Sequence, residues 1–191
     1  QAWINANYDV AEERAFLDRY RSVLTDQDDV ARLDRLLWDG QVPAARRMMT
    51  RVDEPYRHLA EARIRLQKQE GGVEQALAKV PPQLQNDPGL IFERLRFRRR
   101  QNDYDGARDL LLNLPHDLRR PTEYWTELSY VIRRTLNAGD VTLAYRIAKD
   151  HRQDSGASLA EAEFLAGWIS LRYLRDTKKP RQHFLTLFNS V

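Results

Sequence analysis

Cysteine is absent from the sequence, which excludes disulfides, cysteine-ligated zinc and thiol catalysis. Its absence fits an oxidising compartment as well as a reducing one. No run of about 18 apolar residues occurs, so no membrane-spanning helix is expected. Strand signals are nearly missing: there is no alternating run of β-branched residues and no Asn-Gly hairpin turn. Lysine is scarce, confined to Lys68, Lys79, Lys149, Lys178 and Lys179. The arginine bias this leaves reads as genome composition before it reads as a demand for guanidinium forks. The 31 basic and 28 acidic residues leave a net charge of only +3, far from the balance of a protein built around phosphate. The opening "QAWINANYDV" has no Met, no basic segment and no apolar core of a signal peptide. It reads as a mature product or an excised piece, so export is left open.

Motifs that carry chemistry are missing as well. The sequence contains no GxGxxG, no GxxxxGK[ST], no GxSxG and no HExxH, so nucleotide phosphates, an activated serine and zinc have no ready seat. His58, His116, His151 and His183 are never three or four residues apart, and no metal site is expected. Ser155 lies beside Asp154 and near His151, but this Gly-Ser stretch reads as one helix end followed by the next N-cap. Glu163, next to Phe164, is the carboxylate nearest to a glycosidase-like apolar setting. Its plainer reading is a repeat-packing or surface carboxylate. No catalytic residue and no cofactor are expected.

What the sequence does have is helical period and regular punctuation. "TDQDD" from Thr25 offers a capping-box variant with Asp28, and "VARLDRLLW" follows with Val30, Leu33, Leu36 and Leu37 on one face. Pro43 sits in the first turn of the next segment. Breaks at Gly71, Pro81, Asp87, Leu114, Arg120, Ala138 and Asp154 divide the chain into about eleven helices.

Short second helices start near Val42, Val73, Tyr104 and Val141. Each places an alanine at the matching position: Ala45, Ala76, Ala107 and Ala144, at spacings of 31, 31 and 37 residues. A fifth, "PRQHFLTLF" from Pro180, lacks the alanine. Longer helices lie between them, around Leu36, Arg63, Leu95, Val131 and Gly167. Small residues there let two helix backbones approach. The period is close to that of the tetratricopeptide family, in degenerate form. The expected fold is all-α: one domain over residues 1–191, a right-handed superhelix of helical hairpins, each burying its apolar face on its neighbours. "LAEAEFLAGWISLRYL" carries Phe164, Leu165, Trp168, Ile169, Leu171 and Tyr173 nearly all round the helix and is expected to be buried on several sides. Gly167 within it marks a close backbone crossing.

"FERLRFRRR", Phe92 to Arg100, has five arginines in nine residues. At about 100° per residue they scatter around the helix and form no basic stripe. Ile91, Phe92 and Leu95 make one apolar face, and Leu90 with Phe97 a second. Arg99 points into the packed side, where a charge must be paired. Asp103, Asp105 and Asp109 are its candidate partners. A nucleic-acid helix would present one consistent basic face.

Four stretches, "RLDRLLWDGQVPAARRMM", "LIFERLRFRRRQNDYDGARDLLL", "LAYRIAKDH" and "AEAEFLAGWISLRYL", resemble in their order and spacing the N-terminal superhelical domain of soluble lytic murein transglycosylases. The likeness spans roughly residues 10 to 190. It implies a periplasmic protein of Gram-negative bacteria, from a family that cleaves the β-1,4 bond between N-acetylmuramic acid and N-acetylglucosamine. That cleavage uses no water and no cofactor and leaves a 1,6-anhydro sugar. One glutamate, in a Glu-Ser motif of a goose-lysozyme-like domain, serves as acid and then base. The present chain has no Glu-Ser dipeptide, so no catalytic residue carries over, and the resemblance implies a non-catalytic scaffold segment of such an enzyme or a free-standing relative of one. Its implied partners are peptidoglycan strands, its own catalytic domain, or both, with protein partners open beside them. Arg96, Arg100 and Tyr104 are candidate wall-facing residues, able to meet stem-peptide carboxylates and sugar faces. Two rivals stand beside this reading: a tetratricopeptide-like scaffold for protein partners, and an RNA-binding helical repeat, against which the scattered arginines argue.

Overall fold

The computed structural model describes residues 1–176 and 178–190, and every regular element among them is helical. The α-helices are α1 (Ala2–Asn5), α2 (Val10–Tyr20), α3 (Asp26–Trp38), α4 (Val42–Met48), α5 (Glu54–Lys68), α6 (Val73–Lys79), α7 (Pro88–Arg100), α8 (Tyr104–Leu111), α9 (Pro121–Asn137), α10 (Val141–Lys149), α11 (Gly156–Arg172) and α12 (Lys178–Ser190). Three short 3-10 turns join some of them. The expected all-α class stands, with twelve α-helices among the described residues against about eleven read from the sequence.

Local chemistry sets the helix starts. The Thr25–Asp28 capping box forms: Asp28 N–H donates to Thr25 Oγ1 at 3.2 Å, and Thr25 N–H donates to Asp28 Oδ2 at 2.9 Å. A second box, Asp9 with Glu12, opens α2. Asp103 and Asp140 cap α8 and α10 alike, accepting from Gly106 N–H and Leu143 N–H at 3.0 Å. One residue before each cap, Asn102 and Gly139 take positive φ values of 60° and 90°, the left-handed turn that ends a helix. The same sequence device thus builds the same turn in two successive hairpins.

The chain forms two compact units, Gln1–Glu93 and Arg94–Val191, and the boundary falls within α7. In the first, α3 packs on α4 and α5, and α5 on α6. Leu33, Leu36, Leu37, Ala45, Met48, Ala60 and Ile64 form the core with Trp3. Trp3 stacks on Phe16 at 5.3 Å and donates from Nε1 to Asp29 at 2.8 Å.

Two arginines are sealed inside this unit, Arg32 and Arg63, each at 0 % exposure. Arg32 lies over the Trp3 ring at 4.3 Å, donates to the carbonyls of Trp3 and Ala6, and faces Glu13 at 3.7 Å. Burial pulls its guanidinium below the usual value, against the attraction of Glu13. Arg63 pairs with Asp34 at 2.5 Å, with Asp87 at 3.7 Å, and lies over Trp38. It fills the space a Cβ at Gly89 would need. Thirty-one residues separate the two arginines, the spacing of the alanines.

In the second unit α10 packs between α9 and α11, and α12 packs on α11. Tyr124, Leu128, Val131, Ile132, Ala144, Ala148, Ala162, Ala166 and Ile169 are sealed in its core. The four register alanines, Ala45, Ala76, Ala107 and Ala144, are all buried.

Two expectations change. α11 is not buried all round: Leu165 and Ile169 are inside, whereas Phe164, Leu171 and Tyr173 are about half exposed. Its neighbours α9, α10 and α12 cover only part of its circumference. The close approach at Gly167 is made by the Phe184 ring, whose edge lies 2.7 Å from where a Cβ would stand, and not by another backbone.

Candidate functional site

The candidate residues Arg96, Arg100 and Tyr104 fall in the second unit, on the last turns of α7 and at the start of α8. Glu127 on α9 is the centre. It is buried, and Arg99 grips it with both ends of its guanidinium, Nη2 donating to Oε1 at 3.1 Å and Nε donating to Oε2. Arg99 is therefore an ion-paired structural residue, as its wheel position implied. Its partner is Glu127, 28 residues on, and not Asp103, Asp105 or Asp109. Asp103 faces Arg98 at 3.8 Å and Asp105 pairs with Arg108. Sequence proximity pointed to the wrong carboxylates because α7 meets α9 here, a tertiary contact no spacing rule encodes. The Glu127 hydrogen bond holds the Arg99 guanidinium above its ordinary value, so it stays charged at any physiological pH.

Arg96 lies 4.0 Å from the same carboxylate with over a third of its side chain in solvent. Arg100 ends α7 and is partly buried. Tyr104 opens α8, and its hydroxyl is fully occupied. It donates to Asn102 Oδ1 at 2.9 Å, accepts from Arg134 Nη2 at 3.2 Å and lies 3.4 Å from the Tyr130 hydroxyl.

The Tyr104 and Tyr130 rings stack at 6.2 Å. Arg134 sits over Tyr104 at 4.9 Å, and Arg99 over Tyr130 at 5.1 Å. The bond to Tyr130, then that from Arg134, holds the Tyr104 hydroxyl below the usual phenol range. Arg134 is raised, chiefly by its bond to Tyr104. An open concavity of about 490 Å³ lies beside the group, lined by Asn102, Tyr104, Asp105, Arg108, Arg134 and Asn137.

The chemistry of this patch is that of guanidinium forks and not of an open aromatic face. Guanidiniums already cover the tyrosine faces, so no bare aromatic platform is offered. Arg96, beside Glu127, is over a third exposed and Arg134 is exposed, the latter sharing the concavity with Asp103 and Asp105; planar guanidinium forks suit carboxylate partners.

A second cluster, missed as a group by sequence reading, lies deeper in the same unit. Glu163 on α11 accepts at both oxygens: His183 Nδ1 of α12 lies 2.5 Å from Oε2, and His151 Nε2, from the α10–α11 connection, 3.4 Å from Oε1. Tyr145 of α10 approaches His183 Nε2 at 3.1 Å. Glu163, His151 and Tyr145 are all buried. The order Tyr145–His183–Glu163 repeats the connectivity of a nucleophile, base and orienting acid, but burial raises the Tyr145 hydroxyl above the ordinary phenol value. A hydroxyl harder to ionise is the reverse of an activated nucleophile.

The plainer reading of Glu163 as a packing carboxylate gains these named partners. Separations of 12 and 20 residues gave no sequence signal. Ser155 is no part of the cluster: its hydroxyl donates to Asp154 at 2.9 Å. Among the described residues no group of histidines and carboxylates is arranged to hold a metal ion, and no helix is long and apolar enough to cross a membrane. No family model, curated protein or solved structure matches the chain.

Proposed function

We propose that the chain is a non-catalytic scaffold domain of a periplasmic peptidoglycan lytic transglycosylase, its hairpins stacked as a right-handed, tetratricopeptide-like superhelix. The parent enzyme cleaves the bond between N-acetylmuramic acid and N-acetylglucosamine to give 1,6-anhydro muropeptides, and this domain positions glycan strands or the catalytic domain. The observation that carries the reading is the register of buried small residues. Ala45, Ala76, Ala107 and Ala144 recur at the same place in successive hairpins and are all buried, as stacked repeats require.

On this reading the wall polymer meets the patch of Arg96, Arg100, Tyr104 and Arg134, where guanidiniums face stem-peptide carboxylates. Nucleic acid is not a partner, because the arginines are dispersed and largely matched by carboxylates. The test is the reading frame beyond residue 191. A lysozyme-like domain with a Glu-Ser motif is the expected finding, and a stop codon immediately after Val191 would remove the enzyme from the proposal.

A second reading, a stand-alone protein-interaction scaffold, is favoured by one observation. The α11–α12 hairpin exposes Phe188 at 79 % together with Leu185, Phe164 and Leu171. Binding of the purified chain to a protein partner but not to sacculi would select it.

A further inference from the structure

The buried cluster around Glu163 contains one imidazole whose protonation state the backbone fixes. His151 Nδ1 accepts a hydrogen bond from the Gln153 backbone N–H at 2.9 Å. A nitrogen that accepts carries no proton, so the neutral ring holds its proton on Nε2 and points it at Glu163. The Gln153 side chain closes the same turn: Nε2 donates to the His151 carbonyl at 3.0 Å and to the Pro121 carbonyl, at the start of α9, at 2.9 Å. The turn 151–153 therefore ties the α10–α11 connection to α9, and its backbone bond from Gln153 N–H forms only on an unprotonated His151 Nδ1.

We propose that His151 is a proton-sensitive clasp: taking up a proton on Nδ1 expels the Gln153 amide and loosens the turn that joins α10 and α11 to α9. The step is a single proton transfer from solvent: Nδ1 gains an N–H and the Gln153 N–H loses its acceptor. The bonds from the Gln153 side chain to the His151 and Pro121 carbonyls keep their partners but lose the backbone bond that holds Gln153 in place.

The groups that face His151 set the sense of the response. Glu163 on α11 attracts the imidazolium, and Asp150 on its own segment does so more weakly; His183 on α12 opposes it. From α9 the uncharged Trp125 ring meets it edge-on at 6.4 Å. Glu161 is engaged by Trp125 and Arg133, and Arg152 by the Pro115 carbonyl and Asp150. On the far side of His183 stand Tyr145 and then Lys179, which pairs with Asp176 at 3.0 Å. Desolvation outweighs the carboxylates and pushes the His151 imidazole below its ordinary value.

The folded chain therefore binds its proton less readily than the unfolded chain does. The stability that the neutral ring contributes is complete above the unfolded value of about 6.5. It is lost progressively as pH falls through that value toward the folded one.

Denaturant unfolding of the whole chain between about pH 7.5 and about pH 5.5, where carboxylates stay ionised, reads the clasp. The midpoint is expected to fall with pH in the native sequence. His151→Asn, whose Oδ1 can still accept from Gln153 N–H but does not titrate, is expected to lose at least half of that fall. A flat native profile, or an undiminished fall in the variant, overturns the proposal. Should the variant not fold, long-range ¹H–¹⁵N spectra of the native chain decide. The expected result is an unprotonated His151 Nδ1 at the upper pH, titrating below about 6.5, with the Gln153 amide proton shifting at the same midpoint. Titration at or above that value, or a Gln153 amide that does not follow, overturns it.

Discussion

At the scale of single residues, the unusual feature is how many arginines are inside. Arg32 and Arg63 are sealed, and Arg99 is three-quarters covered. A buried guanidinium is tolerated only when carboxylates and carbonyls satisfy it, and removing one partner costs more than the pair contributes. Arg99→Ala would leave buried Glu127 facing Arg96, 4.0 Å away, as its one ion-pair partner among the described residues. A loss of about 2–4 kcal/mol is expected, the lower part reflecting the solvent that reaches Arg99. Arg133→Ala removes a pair with Glu161 in which both side chains are about half exposed, and less than about 1 kcal/mol is expected. Urea unfolding with an unchanged m-value measures both. Comparable losses for the two variants would contradict the assignment of Arg99 as structural. The inward aim of Arg99 was legible from a helical wheel. Its partner was not, since Asp103, Asp105 and Asp109 are near in sequence while Glu127 is near only in space.

At the scale of helices and hairpins, spacing carries most of the information. The start of α3 follows from the Thr25–Asp28 pair and the matching alanines from a count along the chain, whereas the caps at Asp103 and Asp140 emerge from the structure. An alanine is informative because it marks a place where nothing larger fits. Ala107→Leu and Ala144→Leu, both at 0 % exposure, are expected to cost about 1–3 kcal/mol each by overpacking. Neutral outcomes would show that these helices do not approach closely.

Gly167→Ala is a sharper case. Alanine raises helix propensity by about 1 kcal/mol, yet its Cβ would press on the Phe184 ring. Net destabilisation is expected, and Phe184→Leu in the same chain should relieve it, by thermal melts of the single and double variants. A stabilised Gly167→Ala would show that the ring moves aside freely. Periodicity overstated the burial of α11 because it records where apolar side chains point and not how many neighbours arrive. The Glu163 cluster was hidden for a related reason. Its members come from α10, the α10–α11 connection, α11 and α12 and share no periodic relation.

At the scale of the whole molecule, the all-helical class was readable from missing strand signals and regular breaks, and helices are what every described element is. Stacking of the hairpins into a superhelix, the wall partner and the periplasm belong to the proposal and make their own predictions. A compact globule of 191 residues has a radius of gyration near 16 Å by the usual scaling, about 2.2·N^0.38, and a superhelix should exceed it clearly in solution scattering. RNA binding that weakens steeply with salt would favour the rival reading instead.

The most direct test incubates the purified chain with isolated sacculi, then measures both the fraction of protein that sediments and the muropeptides released. The account predicts sedimentation that salt weakens, a clear reduction when Arg96 and Arg134 are both changed to alanine, and no anhydro-muropeptides in the supernatant. Failure to sediment, or release of anhydro-muropeptides by this chain alone, would contradict it.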